Sequence, residues 1–370
     1  MNRPKILFVV HALGYGGVGK MLSYLANYVS ESGFDVTIYV QEQIGQHYPQ
    51  NDNITIIQET VFFKNYFTRR FKQIGQLRKR VKEINPDLVI SFQTNQNALS
   101  VLATRKKKIP VIISERGDPY QYKSIVAILK NVVINRAEGG VFQTEKARKY
   151  FGKKLQKNGR VIFNPNTVPP SPQPLWEDRK DEIAFVARFD IKQKRQDIML
   201  EAFLKITSEF PKMKLVFYGI GDDMESIVKD VERKGLKEKV IFKGLVKDIP
   251  AAIRTSKMFV LTSDYEGMPN ALIEAMAVGL PCISTDCSPG GASALITTGV
   301  NGIIVPVRDS DSIARAMRYV LTNPIEAQKM GQEAQKTVDL LHPDFIYGQW
   351  IEYIREILNK NRNGKKDVTK

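Results

Sequence analysis

The chain has 370 residues, of which 43% are apolar and 25% charged, so it is globular and long enough for two hydrophobic cores. Its formal net charge is +16, and residues 1–170 carry +15 of it, because they contain 26 Lys and Arg against 11 Asp and Glu. Two cysteines and three histidines exclude a disulfide framework and leave no spacing typical of a metal site.

The first half of the chain alternates strand-like and helical patterns. Apolar runs at 5–10, 35–40, 87–92 and 111–114 are typical of parallel strands, and 21–28 has helical spacing. Residues 1–168 are therefore predicted to form a Rossmann-like domain. No secretory signal or membrane-spanning run is recognisable, so we expect a cytoplasmic protein.

A proline-rich segment at 164–174 predicts a linker, because proline fits neither a central strand nor a helix interior. Strand-like runs resume at 182–187, 215–219, 240–242, 258–261, 282–285 and 303–305. They predict a second Rossmann-like domain over 169–344. A final helix over 345–359 is a candidate to pack back on the first domain. The predicted fold class is α/β, with two doubly wound domains facing each other across a cleft that holds the active site.

Two carboxylates, Glu266 and Glu274, bracket the start of a helix predicted at 271–278. A helix start offers free N–H groups to a diphosphate, and carboxylates accept hydrogen bonds from the hydroxyls of a sugar or a ribose. The alternative is an acidic loop stabilised by the helix dipole, with Glu274 merely on the surface.

Two cations, Arg188 and Lys194, follow the strand predicted at 182–187. Fixed cations stabilise the negative charge that builds on a leaving phosphate, as a metal would. The alternative is a basic, solvated loop. We expect no metal and no cofactor, because Asp309 and Asp311 have the spacing of a metal pair but precede a helical pattern, where such residues are ordinary caps.

The pattern from Ser263 to Pro281 resembles the signature of the family 4 retaining glycosyltransferases, which have the GT-B fold and belong to the glycosyl transferases group 1. The resemblance covers nearly the whole chain, and it implies that 1–168 is the acceptor and membrane-side domain and that 169–344 binds the donor. It implies that Glu266 contacts the transferred sugar, that Glu274 holds the donor ribose, and that Arg188 and Lys194 hold the diphosphate. The residues implied to face sugar and phosphate between the two carboxylates are Gly267, Met268, Pro269, Asn270, Ala271 and Leu272.

A glycine-rich loop follows the first strand, and the resemblance implies that its Gly16 and Gly17 close over the donor diphosphate from the opposite domain. The loop is neither a spaced dinucleotide fingerprint nor a P-loop, since Met21 stands where a hydroxyl would bind magnesium.

The chain departs from the family after the strand predicted at 111–114, where many relatives carry a histidine near the sugar. Here Glu115, Arg116 and Asp118 are candidates to contact the donor sugar or the acceptor, or they form a polar loop. Later, the segment 287–293 lacks the Arg and Glu that often follow its glycine in relatives, a departure that bears on donor preference.

The positive charge of the first half concentrates at 62–80, where aromatic residues alternate with cations. This composition predicts peripheral binding to the anionic inner face of the plasma membrane. The alternative is a solvated helix with its aromatic rings in the core. Nucleic acid is not expected, because no recognition motif accompanies the charge.

Together with these observations, the resemblance implies a retaining, metal-independent glycosyltransferase in bacterial surface-polysaccharide assembly. Its donor would be a nucleotide diphosphate sugar, with UDP the expected nucleotide, and its acceptor a lipid-linked or growing glycan. A nucleotide-sugar epimerase of similar architecture and a non-enzymatic basic binding protein remain the alternatives. A glycosidase would leave the two cations without a role.

Overall fold

The structure is a computed structural model that describes residues 3–14, 17–41, 48–59, 65–169 and 171–368. The chain divides into two compact units, one of residues 1–165 with 344–370 and one of residues 166–343. The sequence had placed the boundary after residue 168. Among the described residues, no helix combines the length and the apolar character needed to cross a membrane.

The first unit is a parallel sheet with the strand order β3-β2-β1-β4-β5-β6-β7. Its elements in chain order are β1 Lys5–Val10, α1 Gly17–Glu31, β2 Asp35–Val40, β3 Thr55–Gln58, α2 Tyr66–Ile84, β4 Leu88–Phe92, α3 Thr94–Thr104, β5 Val111–Ser114, α4 Ile125–Ile134, β6 Gly139–Phe142, α5 Glu145–Tyr150, α6 Lys153–Asn158 and β7 Arg160–Val161. The central strands β1, β4 and β5 are almost wholly buried, as in a sheet covered by helices on both faces.

The second unit is a parallel sheet with the strand order β10-β9-β8-β11-β12-β13. Its elements are β8 Lys180–Val186, α7 Ile191–Lys194, α8 Gln196–Leu204, β9 Lys214–Tyr218, α9 Met224–Arg233, β10 Val240–Phe242, α10 Ile249–Ile253, β11 Ser256–Leu261, α11 Asn270–Ala277, β12 Cys282–Thr285, β13 Ile303–Val305, α12 Ser310–Thr322 and α13 Pro324–Asp339. Its core holds the apolar residues of these strands and of α8, α9 and α12.

The last helix, α14 (Pro343–Val368), belongs almost entirely to the first unit and continues beyond the end expected at 359. Trp350 and Tyr353 are its large buried side chains. The Tyr353 hydroxyl accepts from the Gly140 amide at 2.9 Å and donates to the Asn158 carbonyl at 2.6 Å. The C-terminal helix is therefore part of the first unit's core.

In each unit the strand order reverses direction at one point. In the first unit, β1 lies between β2 and β4, and in the second, β8 lies between β9 and β11. The loops that leave neighbouring strands on either side of such a point diverge and open a crevice at the carboxyl ends of the strands. The candidate residues of the second unit follow β8 and β11, and those of the first unit follow β1 and β5.

Candidate active site

The two motifs of the second unit meet because they leave the neighbouring strands β8 and β11 at the same edge of the sheet. The Asp264 amide donates to the Gln193 carbonyl at 2.8 Å, and the Gln193 side chain donates to the Tyr265 carbonyl at 3.1 Å. The loop after β8 is thus fastened along the loop after β11.

The centre of this junction is an ion pair. Lys194 Nζ donates to Glu266 Oε1, and Ser263 Oγ donates to the same oxygen at 2.8 Å. Both charged side chains are largely buried. An ion pair removed from water depends on the hydrogen bonds around it, and here the hydroxyl supplies one. The sequence singled out both residues but did not predict that they contact each other.

Hydroxyl groups hold the two loops around this pair. Thr262 Oγ1 donates to the carbonyls of Lys194 and Arg195 at 2.8 and 2.9 Å, and Thr285 Oγ1 donates to the Ser263 carbonyl at 2.5 Å. The carboxylate and the ammonium therefore sit on backbone that is fixed before any ligand arrives.

Arg188 is in a different environment from Lys194. Its side chain is 65% exposed and donates to Asp190 Oδ2 at 2.6 Å. Asp190 also caps α7 by accepting from the Gln193 amide at 3.2 Å. The exposed guanidinium can turn toward a ligand while Asp190 still holds the helix.

A buried carboxylate, Asp264, connects the site to a third loop. Its Oδ2 accepts from Arg308 Nε and Nη2 at 2.9 and 2.7 Å and from Arg195 Nη1 at 3.4 Å. Both arginines have positive φ, 59° and 55°, which is uncommon for residues with side chains. Neither Asp264 nor Arg308 was a candidate from the sequence, and no local motif marks Arg308.

Helix α11 begins at Asn270, four residues after Glu266, and its N-cap residue Pro269 makes no side-chain capping hydrogen bond. A Cβ on Gly291 would lie 2.0 Å from the Gly267 carbonyl oxygen, so the backbone of the loop after β12 packs against this turn. The Glu266 amide donates to the Ser288 carbonyl at 2.8 Å. Residues Gly267 to Leu272 form the predicted turn and first helical positions, and Glu274 follows on α11, partly exposed.

In the first unit, a cavity of about 370 Å³ opens at the carboxyl ends of β1, β4 and β5. The residues that line it include His11, Gln93, Thr94, Glu115, Arg116 and Lys130. Gln93 has a φ of 73°, an uncommon conformation that holds the start of α3 against this cavity. The position is the crevice expected from the strand order.

Glu115 and Arg116 are buried in the wall of this cavity. Burial raises the pKa of Glu115 to about 7, although hydrogen bonds from Thr94 Oγ1 at 2.9 Å and the Gly117 amide at 3.3 Å oppose the shift. Burial lowers the pKa of Arg116 to about 10. Its guanidinium lies 5.7 Å from the ring centre of Phe92 and 5.6 Å from that of Trp350.

Asp118 makes its bonds within its own loop, accepting from the Tyr120 amide at 3.0 Å and the Gln121 side chain at 2.9 Å. The polar-loop alternative thus describes Asp118, whereas Glu115 and Arg116 line the cavity. Of the glycine pair, Gly16 lies outside the described residues and Gly17 begins α1.

The acidic pair at 309–311 is occupied by protein contacts. Asp309 caps α12 by accepting from the Ser312 amide at 2.9 Å, which confirms the expected cap, and Asp311 pairs with Lys205 at 2.6 Å. Within the parts of the chain that the structure describes, no three His, Cys, Asp or Glu side chains gather into a group that could hold a metal.

Two family models match consecutive parts of the chain. The model of Glycosyltransferase Family 4 matches residues 15–171, and that of Glycosyl transferases group 1 matches residues 171–337. A curated Campylobacter jejuni relative, "GalNAc-alpha-(1->4)-GalNAc-alpha-(1->3)-diNAcBac-PP-undecaprenol alpha-1,4-N-acetyl-D-galactosaminyltransferase", is 25% identical over 96% of this chain and 99% of its own. An uncharacterized glycosyltransferase of Haemophilus influenzae is 24% identical over 95% of this chain and 98% of its own.

Solved structures share the architecture. The apo form of the lipopolysaccharide outer core galactosyltransferase WaaB has a TM-score of 0.78 at 21% identity, covering 95% of this chain and 99% of its own. Anabaena Alr3699/HepE in complex with UDP-glucose has a TM-score of 0.75 at 16% identity, covering 95% and 99%. These likenesses and the two parallel sheets confirm the predicted GT-B fold.

Proposed function

Because the chain belongs to the group 1 and family 4 glycosyltransferases, whose models together match residues 15–337, we propose that it transfers a sugar from a UDP-linked donor to a lipid-linked glycan, with retention of configuration. The name of the C. jejuni relative supports the acceptor, since it describes a glycan on undecaprenol diphosphate. The UDP-glucose bound to HepE supports the donor class. The setting is surface-polysaccharide assembly on the inner face of the membrane, where the basic first unit would meet anionic lipid.

The observation that carries this proposal is the buried Lys194–Glu266 pair at the strand ends of the second unit. The donor diphosphate would rest between Arg188, Lys194 and the amino end of α11, and Glu274 would hold the ribose. Glu266 would accept a hydrogen bond from a hydroxyl of the transferred sugar. Lys194 would then be shared between Glu266 and the phosphate, so the carboxylate orients the ammonium as well as the sugar.

In the transfer step, the acceptor oxygen forms a bond to the anomeric carbon on the face that the diphosphate leaves. The bond between that carbon and the phosphate oxygen breaks, and its electron pair stays with the nucleoside diphosphate. The acceptor proton passes to the leaving phosphate oxygen. Arg188 and Lys194 stabilise the negative charge that builds there, which is the role of a metal in other transferases.

The experiment is a screen of nucleotide sugars in the presence of EDTA, with a polyprenyl-diphosphate-linked glycan as acceptor. We expect one UDP-sugar to raise the melting temperature and to glycosylate the acceptor, with retained configuration by NMR. Conversion of the donor into another nucleotide sugar in the absence of acceptor would instead identify an epimerase. Activity that EDTA abolishes and manganese restores would overturn the assignment of Arg188 and Lys194.

A further inference from the structure

Helix α4 exposes an unusually large apolar surface. Its ten residues, IVAILKNVVI, include eight apolar ones and a single charge, and Ala127 and Ile134 are the two that are buried. Ile125 is 77% exposed, Leu129 61% and Ile128 57%. Val126 and Val132 add to the same surface.

A helix that is apolar on nearly all sides is normally buried in a protein core or in a membrane. Single exposed apolar residues are common on protein surfaces, but several on three turns of one helix mark a site of interaction. Serine caps the helix, since Ser124 Oγ accepts from the Ala127 amide at 3.2 Å, so α4 is a well-formed helix rather than a frayed segment.

The charge around α4 favours an anionic partner. No Asp or Glu lies between Asp118 and Glu138, whereas Lys123, Lys130 and Arg136 do. The chain just before α4 packs on α5, where the Tyr120 and Tyr150 ring centres are 4.9 Å apart. Two further lysines of α5, Lys146 and Lys149, are exposed there.

The same helix forms part of the first unit's cavity. Ala127 and Lys130 line it, together with Tyr122 just before α4. Lys130 Nζ donates to Asn95 Oδ1 at 2.7 Å, which holds the ammonium at the cavity wall. A lipid surface in contact with Ile125, Ile128 and Leu129 would therefore lie beside the cavity.

We propose that α4 is the membrane-docking element of this protein: it lies in the interface of an anionic bilayer and brings the cavity to the headgroup of a lipid-linked acceptor. The second half of this statement rests on the proposed function. The site differs from the basic segment 62–80, of whose aromatic side chains the structure describes Phe71. An anionic bilayer matches both the apolar row and the cations around it.

The test compares two triple variants in co-sedimentation with vesicles of phosphatidylglycerol and phosphatidylethanolamine. One changes Ile125, Ile128 and Leu129 to Ser, and the matched control changes the equally exposed Leu175, Ile325 and Leu340 to Ser. We expect the α4 variant to lose at least tenfold in vesicle partition, at low and at high salt, while the control binds like wild type. Equal binding of both variants would overturn the proposal.

A second measurement does not depend on the triple variant folding. Both native cysteines, Cys282 and Cys287, are buried, so a single Leu129→Cys variant can be labelled selectively with an environment-sensitive fluorophore. Vesicles should shift its emission to the blue, whereas the same label at Ile325→Cys should not respond. No shift at position 129, or equal shifts at both, would overturn the proposal.

Two further readouts separate the alternatives. Light scattering should give the same mass for wild type and the α4 variant, and a dimer that the substitutions dissociate would assign the surface to a second copy. Stabilisation by UDP-sugar should be unchanged in the α4 variant. If the wild type binds vesicles but no nucleotide sugar, the docking proposal stands and the proposed function is refuted.

Discussion

Glu266 and Lys194 form an ion pair before the donor binds. A substitution of either residue therefore also changes the environment of the other. Ser263 and Thr262 hold the two loops so that the pair keeps its geometry. A diphosphate that enters adds a second anion beside the ammonium, and Lys194 can serve both because it has three donors. Removing either charge leaves the other buried, which costs more than an exposed pair would.

Changing Glu266 to Gln should lower turnover on the order of a hundredfold, more than it lowers donor affinity, because the contact to the transferred sugar matters most as the bond breaks. Changing Glu274 to Gln should raise the donor dissociation constant about tenfold, because it replaces a charged hydrogen bond to the ribose, which contributes roughly 1.5–3 kcal/mol, by a neutral one that contributes roughly 0.5–1.5 kcal/mol. Calorimetric titration and initial rates separate the two effects. Glu225→Gln on the surface of α9 is the control, and unchanged donor binding in Glu274→Gln would remove the ribose assignment.

Glu115 should make stability depend on pH. Its pKa rises from 4.5 to about 7 on folding, so the folded protein retains a proton that the unfolded chain releases. The stabilisation that comes from this retained proton is complete below pH 4.5 and is lost as the pH rises through about 7. The free energy of unfolding should fall by on the order of 3 kcal/mol over this range. Urea unfolding between pH 4.5 and 8 should show this fall in wild type and a flatter profile in Glu115→Gln. The exposed Glu201→Gln variant should show the same pH dependence of stability as wild type. Parallel stability profiles for all three proteins would contradict the raised pKa of Glu115.

At the scale of elements, continuous apolar runs predicted the strands well, since β1, β2 and β4 are buried on both faces. Strands β3, β6 and β7 were not predicted, and β6 begins with Gly139 and Gly140, which carry no apolar signal. Their small size is needed, since a Cβ on Gly139 would lie 2.1 Å from the Tyr353 hydroxyl of α14. Such a contact joins residues far apart in sequence, and so does the Asp264–Arg308 pair, which is why neither was predicted.

The docking of α14 on β6 gives a prediction at this scale. Tyr353→Phe removes the hydroxyl that accepts from the Gly140 amide and donates to the Asn158 carbonyl. Both backbone groups then lose this hydrogen-bond partner. The free energy of unfolding should fall by roughly 1–3 kcal/mol, measured by urea titration. Tyr319→Phe, on the exposed side of α12, is the matched control and should change stability little. An equally stable Tyr353→Phe protein would show that this hydroxyl does not hold the helix.

At the scale of the whole molecule, charge and apolar surface are distributed unevenly. Residues 1–170 carry nearly all of the net charge, and α4 within them exposes the apolar row. The charge asymmetry was visible in the sequence. The exposure of α4 was not, because an apolar run reads equally well as a buried helix until its neighbours are known.

The basic surface of the first unit and the apolar row of α4 should contribute to vesicle binding with different salt dependence. Attraction of cations to an anionic bilayer contributes about 1 kcal/mol for each group near the surface and is screened within a Debye length of about 10 Å at 0.1 M salt. Changing the exposed Lys72, Lys79 and Lys82 of α2 to Gln should therefore weaken vesicle binding by up to about a hundredfold at low salt and little at high salt.

The same change at Lys212, Lys214 and Lys237 of the second unit lowers the net charge equally and should have a smaller effect. Donor stabilisation should stay unchanged in both variants, because neither set lies at the strand ends that hold Glu266. If the two variants lost vesicle binding equally, net charge alone would govern association and α2 would have no particular part in it.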